Sequence, residues 1–431
     1  MYNAYITRIK NVKKHSNADR LNVGECFGNQ VIVSLETKEE DLGIYFPTDG
    51  QLGTEYCEAN NLVRTKDKDG NNTGGYLDPK KRNIRAMKLR GEVSDGVFMP
   101  LSSLELFTDV SKLKEGDTIN LLDGVEICRK YVPEIKERIL KNTNTTKQKK
   151  ISKISYPTFA EHRDTGQYAY NKNAFSKGDI CYITLKLHGT SARTSHALKK
   201  EKKYKRGIFY IASKLFNKLP YKIKESWEYV TGTRRVVLKN FEGGFYGSNA
   251  FRQTHHDSFI GKLQKGETVY YEIVGYQSNA RPIMGTVSNK KTKDKEFIKK
   301  YGETTVYSYG CEEGISDIYI YRMSITNEDG VEIDYPWDMV KLRSEQMGIK
   351  HTPELDRFIY TTEEDMDERV MSNENGVDPI GKTHIREGVI IRIEGTEKFK
   401  AFKQKNFHFK CLEGIIKDEG IVDIEEQESI K

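Results

Sequence analysis

The chain predicts an α+β protein in two parts: a small amino-terminal β-barrel, then a larger α+β domain built mainly of antiparallel sheets. Three observations carry that expectation. Short β-patterned runs separated by turn residues fill the first 120 residues or so. A polar, basic stretch without apolar periodicity follows. Beyond it, apolar runs of strand length alternate with helical pieces as far as residue 412. At 431 residues the chain is too long for one small core and suits two domains.

The barrel rests on Tyr5 to Ile9, Val23 to Phe27, Val31 to Leu35, Gly43 to Phe46, Asn83 to Leu89 and Gly96 to Met99. Their spacing is that of a small closed sheet, placed over residues 1–140. Residues 141–154 read as a linker, because Lys141 to Lys153 hold no apolar pattern. The α+β domain spans 155–412, and the acidic residues 413–431 form a tail too short for another barrel. Glu363 to Glu368 opens a segment that looks helical and solvent-facing.

Composition excludes several classes. No run of about 18 apolar residues and no basic-then-apolar leader is present, so a membrane span or secretion is not expected and a cytoplasmic location is. Cys26, Cys57, Cys128, Cys181, Cys311 and Cys411 are scattered without Cys-x-x-Cys spacing, which argues against a zinc ribbon or a disulfide framework. Net charge is a modest +7 but uneven. From Lys199 to Glu225 ten basic residues face two acidic ones, interleaved with Tyr204, Phe209, Tyr210, Phe216 and Tyr221. This stretch reads as an insertion that suits a phosphate backbone, with a solvated surface as the plain alternative.

Chemistry concentrates in four places. Lys186 ends the β-rich run Ile183 to Leu185 and meets a turn at His188-Gly189. A lysine that loses its proton attacks phosphorus, and attack on a nucleotide α-phosphate would leave a lysyl-nucleotide and release pyrophosphate. Lys403 and Lys405 alternate around Gln404, so an extended strand projects both amines from one face toward one ligand. Glu387 opens the strand-like run Gly388 to Ile393 and is placed to hold a hydrated divalent ion. Glu272 is a lone acid in the apolar run Val269 to Val274, and a ribose hydroxyl would partner it. His255-His256 invites a metal reading, but adjacent side chains on a strand diverge and no third ligand is apparent.

This ordered set resembles the covalent nucleotidyltransferase superfamily of ligases and capping enzymes. His188 and Ser191, where the wider superfamily has Asp and Arg, look like ATP-dependent RNA ligases. The resemblance implies that Lys186 is the adenylylated nucleophile, that His188 and Gly189 belong to the nucleotide site, and that Glu272 contacts the ribose. It implies that Glu387 engages Mg2+ or Mn2+, and that Lys403 and Lys405 contact the α-phosphate. Gly232-Thr233-Arg234-Arg235 looks like the arginine motif that reaches the sugar or donor end, through either Arg234 or Arg235, and the resemblance assigns Ser191 to the same contact. Tyr319 and Tyr321 resemble the aromatic that stacks on the purine, with Tyr321 favoured. Phe159 to Gln167 resembles a segment of RNA ligases that carry an amino-terminal oligonucleotide-binding (OB) domain. Lys14 to Leu21 and Arg85 to Gly96 resemble turns of OB-fold tRNA-binding modules, over residues 1 to about 120.

What the resemblance implies is an OB-fold barrel before an α+β nucleotidyltransferase domain with its sheets around a nucleotide cleft. The implied activity is ATP-dependent RNA ligation through lysyl-AMP and adenylylated RNA, sealing nicks or breaks in structured RNA. The alternatives are a DNA ligase, a capping guanylyltransferase, or a catalytically silent RNA-binding protein. Each site residue also has a plain structural reading: His188 caps its turn, Glu272 sits in a buried ion pair, Tyr321 is core, and Lys403 and Lys405 are a strand edge.

Overall fold

Alternating apolar residues do close a barrel at the amino end. The computed structural model describes residues 2–70, 73–133, 154–204, 221–238, 241–242, 249–396 and 398–418. Most of the expected linker, the centre of the basic stretch and the end of the tail thus lie outside the described residues. The described residues up to 133, together with 287–305 and 405–418, form one compact unit, and 154–286 with 306–404 form another.

In the first unit, strands Thr118–Ile119, Ala4–Arg8, Leu42–Phe46 and Val97–Pro100 make one sheet in that order, and Lys10–Lys14, Leu21–Cys26 and Asn29–Ser34 make another. Ile6, Ile44, Phe46, Leu52, Tyr56, Leu104 and Ile119 form one buried cluster in this unit. Lys10–Lys14, with three lysines in five residues and four of its positions exposed, is a strand only because Leu21–Cys26 pairs with it. Of the run expected at Asn83 to Leu89, only Met87–Leu89 is a strand. The two turn phrases of the sequence meet: His15 Nε2 lies 3.1 Å from the Leu89 carbonyl oxygen, and its Nδ1 accepts from the Asn17 amide.

Residues beyond 404 do more than form a tail. A helix over Phe407–Asp418 crosses the boundary expected at 412 and belongs to the barrel unit. Its apolar Phe409 and Leu412 are buried, and Lys417 Nζ reaches Asp49 at 2.5 Å while Lys410 reaches Asp95. Residues 287–305 join the same unit. Asp294 caps the helix Lys295–Tyr301 and also accepts from Lys88 Nζ at 2.5 Å, with His408 Nε2 at 3.3 Å. Neither excursion carries a local composition signal, because tertiary pairing made both.

The second unit has two sheets. One is ordered Ile154–Ser155, Thr190–Tyr204, Glu267–Gly275, Ser316–Thr326 and Glu332–Asp334, with Tyr221–Gly232 also paired to Thr190–Tyr204. The other is ordered Gly166–Gln167, Lys400–Lys405, Gly388–Ile393, Ile180–Lys186 and Glu354–Ile359. Every residue of Glu267–Gly275 is buried, as the central strand of a covered sheet must be. The acidic segment is a helix, Glu363–Glu374, whose Thr362 cap accepts from the Asp365 amide and whose first-turn acids meet the positive end of the dipole. The basic stretch is, at its flanks, one long antiparallel hairpin, with Tyr204 opposite Tyr221 and Arg193 opposite Gly232. His255 and His256 lie on the helix Ala250–Asp257, not on a strand. The six cysteines are free thiols, and burial pushes those of Cys26, Cys128, Cys181 and Cys411 up to about 12. Among the described residues no helix is long and apolar enough to cross a membrane.

Candidate active site

The chain passes from one sheet to the other at the turn Leu187-His188-Gly189, and the expected nucleophile is the last residue before it. Lys186 pairs in register with Gly388, whose φ of 149° a side chain would resist. That register brings the carboxylate of Glu387 to Lys186, with Nζ 2.7 Å from Oε1. Glu387 is buried and Lys186 half-buried. An isolated carboxylate at such a place would be costly, and the ammonium offsets that cost.

Across the turn, Glu272 is the register partner of both Ser191 and Tyr319 on neighbouring strands. Its Oε1 accepts from the Gly189 amide at 3.1 Å and its Oε2 from the Ser191 hydroxyl at 3.0 Å. A Cβ on Gly189 would lie 2.3 Å from the Ile273 carbonyl oxygen, so only glycine lets the turn come this close to the central strand. The buried acid thus has donors from the turn that carries the lysine. The His188 amide donates to the Tyr309 hydroxyl at 2.6 Å, and the His188 ring meets Tyr307 edge-on at 4.6 Å.

The two arginines of the Gly-Thr-Arg-Arg turn part company. Arg234 turns inward, its Nε 3.5 Å from the Ser191 hydroxyl, and its carbonyl accepts from the His162 amide at 3.1 Å. Arg235 is exposed and pairs with Asp164 at 3.0 Å. Arg193, fully buried, holds this turn in place by donating to the Thr233, Phe159 and Ala160 carbonyls.

The segment Phe159 to Gln167 runs along the same region. Gly166–Gln167 pairs in parallel with Phe402 and Lys403, which sets Lys403 on the strand next to the edge of the sheet that holds Lys186. Burial, and then the charges of Arg234, Arg322, Arg193 and Lys403, hold the His162 imidazole well below its usual range. Of these cations Arg322 is already paired with Glu332 at 2.7 Å and Asp334 at 2.5 Å. Tyr321 meets the His162 ring edge-on at 5.9 Å, whereas Tyr319 donates to Asp317 at 3.1 Å.

Lys405, expected to share a ligand with Lys403, holds an ion pair within the chain. It belongs to the barrel unit, where its Nζ lies 2.7 Å from Oε2 and 2.9 Å from Oε1 of Glu413. The physical reason is the helix after it, which returns Glu413 to the strand's end.

Sequence reading missed Arg252, Tyr307, Tyr309 and His384. Arg252 is buried and donates to the Ser191 carbonyl at 3.1 Å and the Thr190 hydroxyl at 2.5 Å. His384 packs edge-on against Tyr307 at 5.1 Å and Tyr309 at 4.5 Å. No local pattern announces these residues. Arg193 had one signal, a lone arginine inside an otherwise neutral strand start.

Among the described residues no group of three or more His, Cys, Asp or Glu side chains is placed to hold a metal ion. A magnesium-like ion does not need one, since it keeps several waters and binds through one or two carboxylates plus phosphate oxygens. Glu387 fits that mode.

Comparisons with known proteins agree with this architecture. The family model of an OB-fold domain matches residues 3–101. No curated protein sequence matches the chain. Solved structures of the Naegleria gruberi RNA ligase are similar over nearly the whole length. The form with PPi is 15% identical, covers 94% of this chain and 97% of that one, and has a TM-score of 0.55. A lysine-to-alanine mutant with ATP and Mn is 14% identical, with 94% and 98% covered and a TM-score of 0.54. A lysine-to-methionine mutant with AMP and Mn is 14% identical, with 94% and 97% covered and a TM-score of 0.56. The chain therefore has an amino-terminal OB-fold domain followed by an α+β domain with the fold of an RNA ligase.

Proposed function

We propose that this protein is an ATP-dependent RNA ligase working through a lysyl-AMP intermediate. The observation that carries the reading is the contact of Lys186 with the buried carboxylate of Glu387, beside a turn whose amide and hydroxyl are held by Glu272. In the first step the Lys186 amine bonds to the α-phosphorus of ATP, the bond from that phosphorus to the bridging oxygen breaks, and pyrophosphate leaves with its electron pair. The Lys186 ammonium loses one proton before it attacks and a second as the P–N bond forms, and Glu387, the acceptor at hand, passes them to solvent and returns to its carboxylate form. AMP then passes to a 5′-phosphate as the P–N bond breaks. Finally an RNA 3′-hydroxyl attacks that phosphate, losing its proton and releasing AMP.

The charge balance explains why Glu387 also suits a divalent ion. Once Lys186 is a phosphoramidate it no longer carries the charge that offsets Glu387, and the buried anion needs another cation. Mg2+ or Mn2+ would neutralise charge developing on the phosphates when bound there. Within the chain, Arg234 and Lys403 supply cations for the phosphates, Glu272 orients Gly189 and Ser191 toward the ribose, and Tyr321 offers a face to the purine. The neighbours solved with ATP, AMP and Mn support this reading. Nicked duplexes or broken hairpins of structured RNA, repaired in the cytoplasm, are the proposed substrates. The OB domain would add backbone contacts.

The test incubates protein, first treated with pyrophosphate, with α-labelled ATP or GTP and a divalent metal. Native protein is expected to gain a covalent label from ATP only, and Lys186→Ala to gain none. A label that survives in Lys186→Ala removes the assigned nucleophile. Labelling from GTP alone would replace the ligase reading with capping, and preferential joining of nicked DNA would replace it with DNA ligation.

A further inference from the structure

The long hairpin changes character along its length. Thr190 to Ala197 lie almost wholly buried in the sheet, but beyond Glu201, the last residue of this strand paired to Ile154–Ser155, it continues as a two-stranded arm of Lys202 to Tyr204 and Tyr221 to Ile223. Directly paired residues share a face. One face carries Lys203 opposite Lys222 and Glu201 opposite Lys224. The reverse face carries Tyr204 against Tyr221, rings 5.6 Å apart, with Lys202 Nζ 4.9 Å from the centre of the Tyr221 ring.

The first face is the informative one. Two lysines set directly opposite destabilise a ribbon. Here Lys203, Lys222 and Lys224 are all exposed, and among the described residues none of them forms an ion pair. Nearby lysines behave otherwise, since Lys199 pairs with Glu228 at 3.0 Å and Lys200 with Glu225 at 3.2 Å. The arm therefore keeps two ammonium groups face to face, Lys203 and Lys222, next to Lys224, which stands opposite Glu201, and an external polyanion would relieve that excess of positive charge.

We propose that this face of the hairpin, through Lys203, Lys222 and Lys224, binds the phosphate backbone of the RNA substrate. The proposal rests on the ligase reading for the identity of the polyanion. The aromatic face stiffens the arm, so the lysines are presented at little entropic cost. Contacts of this kind are independent of base sequence and position the RNA without reading it. The arm thus sets affinity, while the site at Lys186 carries the chemistry.

The experiment measures binding of a labelled nicked RNA duplex to full-length native protein and to the triple variant Lys203→Ala, Lys222→Ala, Lys224→Ala, over a series of salt concentrations. The variant is expected to bind about tenfold or more weakly near ~0.1 M salt, and to lose roughly two to three from the slope of log affinity against log salt. Its thermal midpoint stays level or rises, because a like-charge pair is gone. A Lys→Arg triple keeps the native affinity. Equal affinity and equal slope in native protein and the alanine triple would overturn the proposal. So would loss of binding to phosphatidylserine vesicles with RNA affinity unchanged, which would make the arm a membrane contact. Self-labelling with ATP is measured in parallel. If native protein fails to label, the ligase reading falls, whereas the salt slope still reports whether the arm holds RNA.

Discussion

Glu272, in the central strand of one sheet, and Glu387, just ahead of a strand of the other, are both buried, and the contacts described for them are of different kinds. Glu272 accepts from neutral donors, an amide and a hydroxyl, whereas Glu387 faces the ammonium of Lys186. Neutral donors hold a carboxylate whatever happens chemically at the lysine. A cation that reacts does not. On the proposed mechanism the first acid would shape the turn, and the second would change partners during the reaction.

Substitutions at the two acids should separate these roles. Glu387→Gln keeps the shape but removes the charge, and self-adenylylation should fall by about 10²- to 10³-fold, as when one preorganised electrostatic contact is lost. Single-turnover labelling reads this directly, and a loss under tenfold would erase the distinction. Glu272→Gln keeps an acceptor for the Gly189 amide but replaces the other charged oxygen with an NH2 facing the Ser191 hydroxyl, which must turn to accept and leaves its own proton without this partner. That mismatch should cost about 1–3 kcal/mol and appear as a weaker apparent affinity for ATP together with a lower thermal midpoint. Should Glu272→Gln prove more harmful to the labelling rate than Glu387→Gln, the two assignments would have to be exchanged.

Arg234 and Arg235 give a smaller version of the same contrast. Arg234→Ala removes the side chain beside Ser191 and should lower labelling about tenfold, while Arg235→Ala, which breaks only an exposed pair worth about 0–1 kcal/mol, should leave it nearly unchanged. Equal rates for the two variants would contradict the inward placement of Arg234.

The smallest effect concerns pH. Burial lowers the His255 imidazole to about 4 and holds His162 well below its usual range. A histidine depressed in the folded state contributes stability above the unfolded value, near 6.5, that is lost as pH falls through the folded value. The thermal midpoint should therefore decline between about pH 6.5 and pH 4, with a shallower decline in His255→Gln. A decline of the same steepness in that variant would place the titration elsewhere.

The barrel strands were legible because alternation reports one buried face, and Ile6, Ile44 and Phe46 do line the core. The charged strand Lys10–Lys14 was not, since its hydrogen bonds come from a neighbour and not from its own pattern. Lys186, Glu272 and Glu387 were legible as a set because each is a lone charged residue in or at the end of an apolar strand, where a charge must have a partner. Arg252, Tyr309 and His384 belong to segments with no such contrast, and only packing brings them to the turn. Lys405 illustrates the converse. Its alternation with Lys403 was real, yet the helix that follows it supplies Glu413, a contact that no strand periodicity contains.

By itself the sequence determined the strand and helix periods, the two-part organisation and the identity of the isolated charges, because these depend on residues close together in the chain. The tertiary structure decided which donors satisfy each acid, which arginine turns inward, and where residues 287–305 and 405–418 belong. Those outcomes depend on register between strands far apart in sequence. A shift of one residue turns every side chain to the opposite face.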